Sequence, residues 1–97
     1  MTRTIFSTEA RADLREAHAH YAAIDARLAQ RFAQAVDRAV ARMVASPMRW
    51  PEMAAGVRRC LLEGFPYSLV YCPQAATLRV IAVRHHRRQP RDWAGKH

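Results

Sequence analysis

Apolar residues recur every three or four positions through the first half of the chain, in two separate stripes. This spacing predicts two amphipathic helices. The first covers about residues 8–23, and the second runs from Asp25 to about residue 45, ahead of Pro47, which disfavours helical geometry before it. Ser7 or Thr8 and then Asp25 are the expected N-caps. The stripes are Ala10, Leu14, Ala17, Tyr21 and Ile24, then Leu28, Phe32, Ala35, Val36, Ala39, Val40 and Met43.

Short β-like runs flank the two helices. The last run is apolar on both faces, with Leu78, Val80 and Ala82 on one and Arg79, Ile81 and Val83 on the other, so it should be a central strand. Residues 47–56 are predicted to form a loop. The order β-α-α-β-β-β predicts an α+β domain, a helical hairpin packed on a mainly antiparallel four-stranded sheet. The predicted strands are 4–7, 57–62, 67–72 and 77–85.

Charge and cysteine usage narrow the possible partners and compartment. Residues 1–97 are short enough to form a single domain, and 16 Lys and Arg against 8 Asp and Glu give a net charge of +8. This balance predicts an anionic partner, either nucleic acid or an acidic protein segment, although biased codon usage also raises the Arg content. Cys60 and Cys72 lack metal-ligand spacing and should be buried, reduced residues. With neither a signal peptide nor a membrane-spanning run, we expect a cytoplasmic protein without metal or cofactor.

Several residues near the sheet suit metal-free RNA cleavage. That reaction needs a base for the 2′-hydroxyl, cations for the phosphorane and a donor for the leaving oxygen. Arg58 or Arg59 and Arg84 are candidate cations, His85 or His86 a candidate base or acid, and Tyr71 a candidate donor. The alternative is that these residues have structural roles. Tyr67 and Tyr71 would then be core residues, and His85 would bond to a neighbouring backbone group.

The chain resembles the RelE/ParE superfamily of type II toxin–antitoxin toxins, nearly from end to end. The resemblance implies growth arrest unless a cognate antitoxin binds, typically an acidic and partly disordered protein. RelE-like members cut mRNA in the ribosome, whereas ParE-like members inhibit DNA gyrase. The matching segments are Ala12-Asp13-Leu14, then Val57-Arg58 through Phe65-Pro66-Tyr67 to Tyr71, and Val80-Ile81-Ala82-Val83 followed by His85, Arg88, Pro90 and Trp93.

The ending after the last strand looks closer to the ParE-like branch. The ribonuclease branch usually carries a C-terminal tyrosine and basic residues in the loop before the second strand, and here that loop has only Arg49. We therefore favour a toxin that inhibits gyrase without catalysis. The main alternative is a ribosome-dependent endoribonuclease, and the third is a protein with this toxin fold that is inactive or acts on another target. The expected target-binding residues are Arg84, His85, Arg87, Arg88 and Trp93. The expected antitoxin-binding residues are Arg31, Arg38, Arg58 and Arg59. A ribonuclease would instead use Arg58, Tyr71, Arg84 and His85.

Overall fold

The computed structural model describes residues 2–87 of the chain. Two helices pack on one face of a five-stranded sheet, which confirms the α+β class and the helical hairpin. The elements are β1 (Arg3–Phe6), α1 (Thr8–Ile24), α2 (Ala26–Ala45), β2 (Glu52–Ala54), β3 (Val57–Leu61), β4 (Tyr67–Pro73) and β5 (Thr77–His85).

Side-chain caps set the ends of the helical hairpin. The Ser7 hydroxyl accepts a hydrogen bond from the Ala10 N–H at 3.0 Å, so Ser7 rather than Thr8 is the N-cap of α1. Asp25 joins the helices alone: its N–H bonds to the Tyr21 carbonyl, and its carboxylate accepts from the Arg27 N–H at 2.8 Å. Because one residue both ends α1 and caps α2, the helices must run back along each other.

The sheet has the strand order β1-β5-β4-β3-β2, with β1 parallel to β5 and the other neighbours antiparallel. Strand β5 is central, as predicted. The prediction of four strands was wrong, because β2 lies inside the 47–56 segment that we read as a loop. Strand β2 is only three residues long, has no apolar alternation and pairs only with the start of β3. Gly56 takes the positive φ of +73° at the turn between the two strands.

A β-bulge in β5 alters which of its side chains face the helices. Val70 pairs with Ala82 and Tyr71 with Val80, so Ile81 is an extra residue on β5. The predicted alternation therefore holds as far as Ile81 and is wrong at Ala82 and Val83. Ala82 packs on the far side of the sheet with Ile81, whereas Val83 returns to the helix side.

Helix α1 covers the part of β5 that the short strand β1 leaves unpaired. The Ser7 N–H bonds to the Val80 carbonyl at 2.9 Å, and the Ser7 hydroxyl donates to the Ile81 carbonyl at 3.3 Å. The Asp13 carboxylate then accepts from the Val83 N–H at 3.0 Å. Asp13 thus satisfies a backbone donor that would otherwise have no partner at the edge of the strand.

Aromatic rings join the hairpin to the sheet. Tyr21 and Phe32 from the helices meet Phe65 and Tyr67, with ring centroids 5.1 to 6.1 Å apart. Leu69 and Val80 line the same core.

Three apolar residues of the predicted helices and strands lie outside the helix-facing core. Leu61 alternates with buried Cys60 on β3, so its side chain points away from the helices and is 48% exposed. Ile81 is on the far face, because it directly follows the helix-facing Val80 on the strand. Ile24, at the end of α1, is 63% exposed.

Both cysteines are buried and free, in agreement with the prediction. Cys60 belongs to the helix-facing core, and Cys72 to the apolar cluster on the far face. Burial raises the pKa of both thiols, which keeps them protonated and unreactive at neutral pH.

Replacing Phe32 with alanine should destabilise the fold strongly. Phe32 has no exposed surface and contacts three aromatic rings. Loss of a buried phenylalanine costs about 3–5 kcal/mol, a large part of the stability of a small domain. Ile24→Ala, on the same hairpin but exposed, is the matched control and should change stability by less than about 0.5 kcal/mol. Equal melting temperatures for the two variants in thermal denaturation would contradict this core.

Candidate functional site

Arg58 on β3 holds the segment that follows α2. Its guanidinium donates to the carbonyls of Trp50 and, at 3.4 Å, Met48, and forms an ion pair with Glu52 at 3.5 Å. The side chain is only 12% exposed. Its carboxylate and carbonyl partners offset much of the cost of burying this charge.

Tyr71 holds the same segment from the neighbouring strand. Directly opposite Arg58 in the sheet, its hydroxyl donates to the Pro47 carbonyl at 2.7 Å, and its ring meets the Trp50 ring edge-on. Tyr71 is fully buried, and this burial raises its pKa to about 12. We call Arg58, Tyr71 and the 47–52 backbone that they hold the loop clamp. In it, both side chains are engaged by the protein itself.

The candidates for RNA cleavage are not all brought together, although Arg58 and Tyr71 are neighbours. His85 lies opposite Tyr67 and Arg84 opposite Ser68, so these two neighbours point to opposite faces of the sheet. Tyr71 is four residues from Tyr67 along β4, roughly 13 Å at the rise of a β-strand. One face of the sheet therefore carries Tyr71 near one end and His85 near the other, while Arg84 is on the opposite face.

A cleft lined by side chains with polar groups opens beside the end of β5 on the helix side. It encloses about 340 Å³, and we call it the histidine cleft. The His85 ring stands edge-on to Tyr67, with centroids 5.1 Å apart, and its Nδ1 accepts from the Arg87 N–H at 3.1 Å. His86 is outside the cleft, with Nε2 at 3.0 Å from the Ser68 hydroxyl. The lining residues are Glu16, His20, Tyr67, His85 and Arg87.

The expected target-binding residues divide between several places. His85 and Arg87 share the histidine cleft, and Arg84 is on the far face of the sheet. Arg88 and Trp93 lie outside the described residues.

An apolar groove of about 540 Å³ runs between α1 and α2, and we call it the interhelical groove. Ala19 and Ala33 leave it open, because small side chains on facing helices fill little of the space between them. The groove was not predicted from the sequence, where its signal is alanine at positions that a larger apolar residue would have filled. The lining residues are Leu14, Arg15, His18, Ala19, Phe32, Ala33, Val36 and Asp37.

The arginines expected to bind an antitoxin differ in accessibility. Arg31 and Arg59 are exposed, and Arg38 is exposed beside Glu63 at 3.8 Å, a weak surface pair. Arg58 is occupied in the loop clamp. These assignments stay predictions.

Within residues 2–87, no group of three or more His, Cys, Asp or Glu side chains is arranged to hold a metal ion. None of the helices described there has the length and apolar character needed to cross a membrane.

This fold is shared with a protein of known structure. It matches a chain from a solved structure described as the chromosomal ParDE TA system from P. aeruginosa, with a TM-score of 0.75 and 20% sequence identity over 88% of this chain and 96% of that chain. The sequence model for the ParE toxin of the type II toxin–antitoxin system parDE matches residues 4–90. The chain therefore belongs to the ParE toxin family, as the sequence resemblance indicated. No curated protein sequence matches it significantly.

Removing the Tyr71 hydroxyl should weaken the loop clamp in a pH-dependent way. At neutral pH, Tyr71→Phe should cost about 0.5–1.5 kcal/mol, the usual net contribution of one hydrogen bond. The unfolded tyrosine ionises near its ordinary pKa of 10.0 and the folded one at about 12, so unfolding releases a proton between these pH values. The free energy of unfolding that the Tyr71 hydroxyl contributes to the wild-type protein therefore decreases as the pH rises from 10 to about 12.

Urea denaturation of wild type and Tyr71→Phe at several pH values measures this difference. We expect the gap in unfolding free energy to shrink between pH 10 and pH 12. A gap that widens with pH would contradict the buried, neutral hydroxyl.

Proposed function

We propose that this ParE-family protein arrests growth by inhibiting DNA gyrase in the cytoplasm, without catalysis, and that an acidic, partly disordered antitoxin neutralises it. The loop clamp is the observation that carries the proposal. Under the ribonuclease hypothesis, Arg58 would be the cation and Tyr71 the proton donor. In the structure both side chains are bonded to the 47–52 segment. A tyrosine whose pKa is raised to about 12 is also a poor proton donor at neutral pH.

The interhelical groove supports the antitoxin part of the proposal. An apolar channel between two helices is the surface that an amphipathic helix of a partner fills. Exposed Arg31 and Arg38 lie on α2, one wall of the groove, and the chain carries a net charge of +8. Acidic side chains flanking the apolar face of the partner helix would meet these arginines.

The end of β5 supports a target surface. His85 and Arg87 are accessible at the histidine cleft, and Arg84 lies beside them on the other face. Arginine presents several donors in a fixed plane and often dominates binding at interfaces. We therefore assign target binding to this end of the strand, together with Arg88 and Trp93.

Pulse labelling after brief induction tests the proposed function. If gyrase is the target, DNA synthesis should fall and the SOS response should rise before translation slows. Tyr71→Phe should remain toxic, because its hydroxyl takes no part in the action. If translation fails first, and if Tyr71→Phe folds but is not toxic, the proposal is wrong and the endoribonuclease hypothesis is favoured.

A charge placed in the interhelical groove should separate toxicity from neutralisation. Ala33→Glu puts a carboxylate into an apolar groove, where an unpaired charge is costly to bury under a partner. We expect toxicity to be kept and antitoxin affinity to fall at least tenfold in a pull-down or calorimetric titration. Gln34→Glu, the adjacent exposed position outside the groove lining, makes the same charge change and should bind normally. Equal affinities for both variants would exclude the groove.

Loss of the two arginines after β5 should abolish growth arrest. Arg87→Ala with Arg88→Ala removes two cations from the proposed target surface, and antitoxin binding should persist and serve as the folding control. Arg31→Ala with Arg59→Ala removes the same charge from exposed positions elsewhere and should stay toxic. The measurement is colony formation after induction. Full toxicity of the first variant would remove this end of β5 from the mechanism.

A further inference from the structure

The histidine cleft presents more hydrogen-bond donors than the fold itself uses. His85 accepts the Arg87 N–H on Nδ1, so the neutral ring carries its hydrogen on Nε2 and can donate it to a ligand. The Arg87 guanidinium and the His20 ring are exposed, and neither forms an ion pair or hydrogen bond to another side chain within residues 2–87. Three side chains therefore offer N–H groups to one space.

Tyr67 adds a hydroxyl whose position is fixed by packing. Its ring is held edge-on by Tyr21, Phe32 and His85, and the residue is only 7% exposed. Among residues 2–87 its hydroxyl makes no hydrogen bond, and Tyr67 lines the cleft. A polar group on a rigid, buried ring is well suited to meet a ligand, because little side-chain entropy is lost on binding.

We propose that the histidine cleft binds a backbone phosphate of a nucleic-acid strand. A phosphodiester presents two charged oxygens and two ester oxygens to the cleft, enough for donors from His20, Tyr67, His85 and Arg87. Glu16, the carboxylate among the lining residues, already interacts with another group of the protein.

A strand rather than a free ion fits the shape and charge of the cleft. At about 340 Å³ it has room for a phosphate with its adjoining sugar. The edges of Tyr67 and His85 offer aromatic contacts to the sugar or base, as in other single-strand sites. The net charge of +8 attracts a polyanion to the protein at long range. This inference does not rest on gyrase being the target.

Fluorescence anisotropy with a short end-labelled single-stranded DNA tests the cleft. Tyr67→Phe keeps the ring and the net charge and removes only the hydroxyl, so it should weaken binding about tenfold, the order expected for one hydrogen bond to a charged group. Arg87→Ala should weaken binding at least as much. Arg31→Ala, on exposed α2, makes the same charge change outside the cleft and should weaken binding less than threefold. Unchanged affinity in Tyr67→Phe, or equal losses in the two arginine variants, would overturn the proposal.

Imidazole nitrogen chemical shifts of the wild-type protein give a test that does not depend on variants folding. Addition of the DNA should move the ring signals of His20 and His85, whereas His18, in the interhelical groove, serves as the internal reference. Poly-glutamate at equal charge concentration should leave the His20 and His85 signals in place. If poly-glutamate moves them as far as DNA does, the ligand is a protein carboxylate and the phosphate assignment is wrong.

Discussion

The packing of four aromatic rings is the constraint on which the rest of this molecule depends. Tyr21 and Phe32 on the hairpin interlock with Phe65 and Tyr67 at the sheet. Val36 and Met43 extend the same core along α2. The cluster holds the two helices as a pair, and their small alanines then leave the interhelical groove open. Through Tyr67 it also fixes one wall of the histidine cleft. Both candidate binding surfaces are thus consequences of how one core packs.

The loop clamp shows how residue types that suit catalysis can serve structure instead. From the sequence, Arg58 and Tyr71 are residue types that suit phosphoryl transfer. In the structure they lie opposite each other on adjacent strands. In the fold, the 47–52 segment crosses above them with its carbonyls directed at both side chains. The segment needs these donors, since Pro47 and Pro51 interrupt its own regular pairing. A binding toxin that acts without catalysis agrees with this use of Arg58 and Tyr71.

Periodicity predicted most of the fold, and local irregularities account for what it missed. The two helices, their caps and the central β5 follow from side-chain spacing, Ser7, Asp25 and a strand apolar on both faces. Strand β2 has no pattern of its own and exists because β3 offers it an edge. The bulge at Ile81 is a register effect between strands, which alternation along one strand cannot reveal.

The candidate sites were predicted less well than the fold, because each depends on which side chains distant segments bring together. The sequence made the end of β5 a candidate, but it did not predict that these residues divide between two sheet faces or that His20 from α1 lies beside them.

The most direct test of the account is the supercoiling activity of purified DNA gyrase titrated with this toxin. Supercoiling should fall as toxin is added and recover with the cognate antitoxin, and Tyr71→Phe should inhibit as wild type does. Supercoiling that stays constant with the toxin in large molar excess would contradict the central claim.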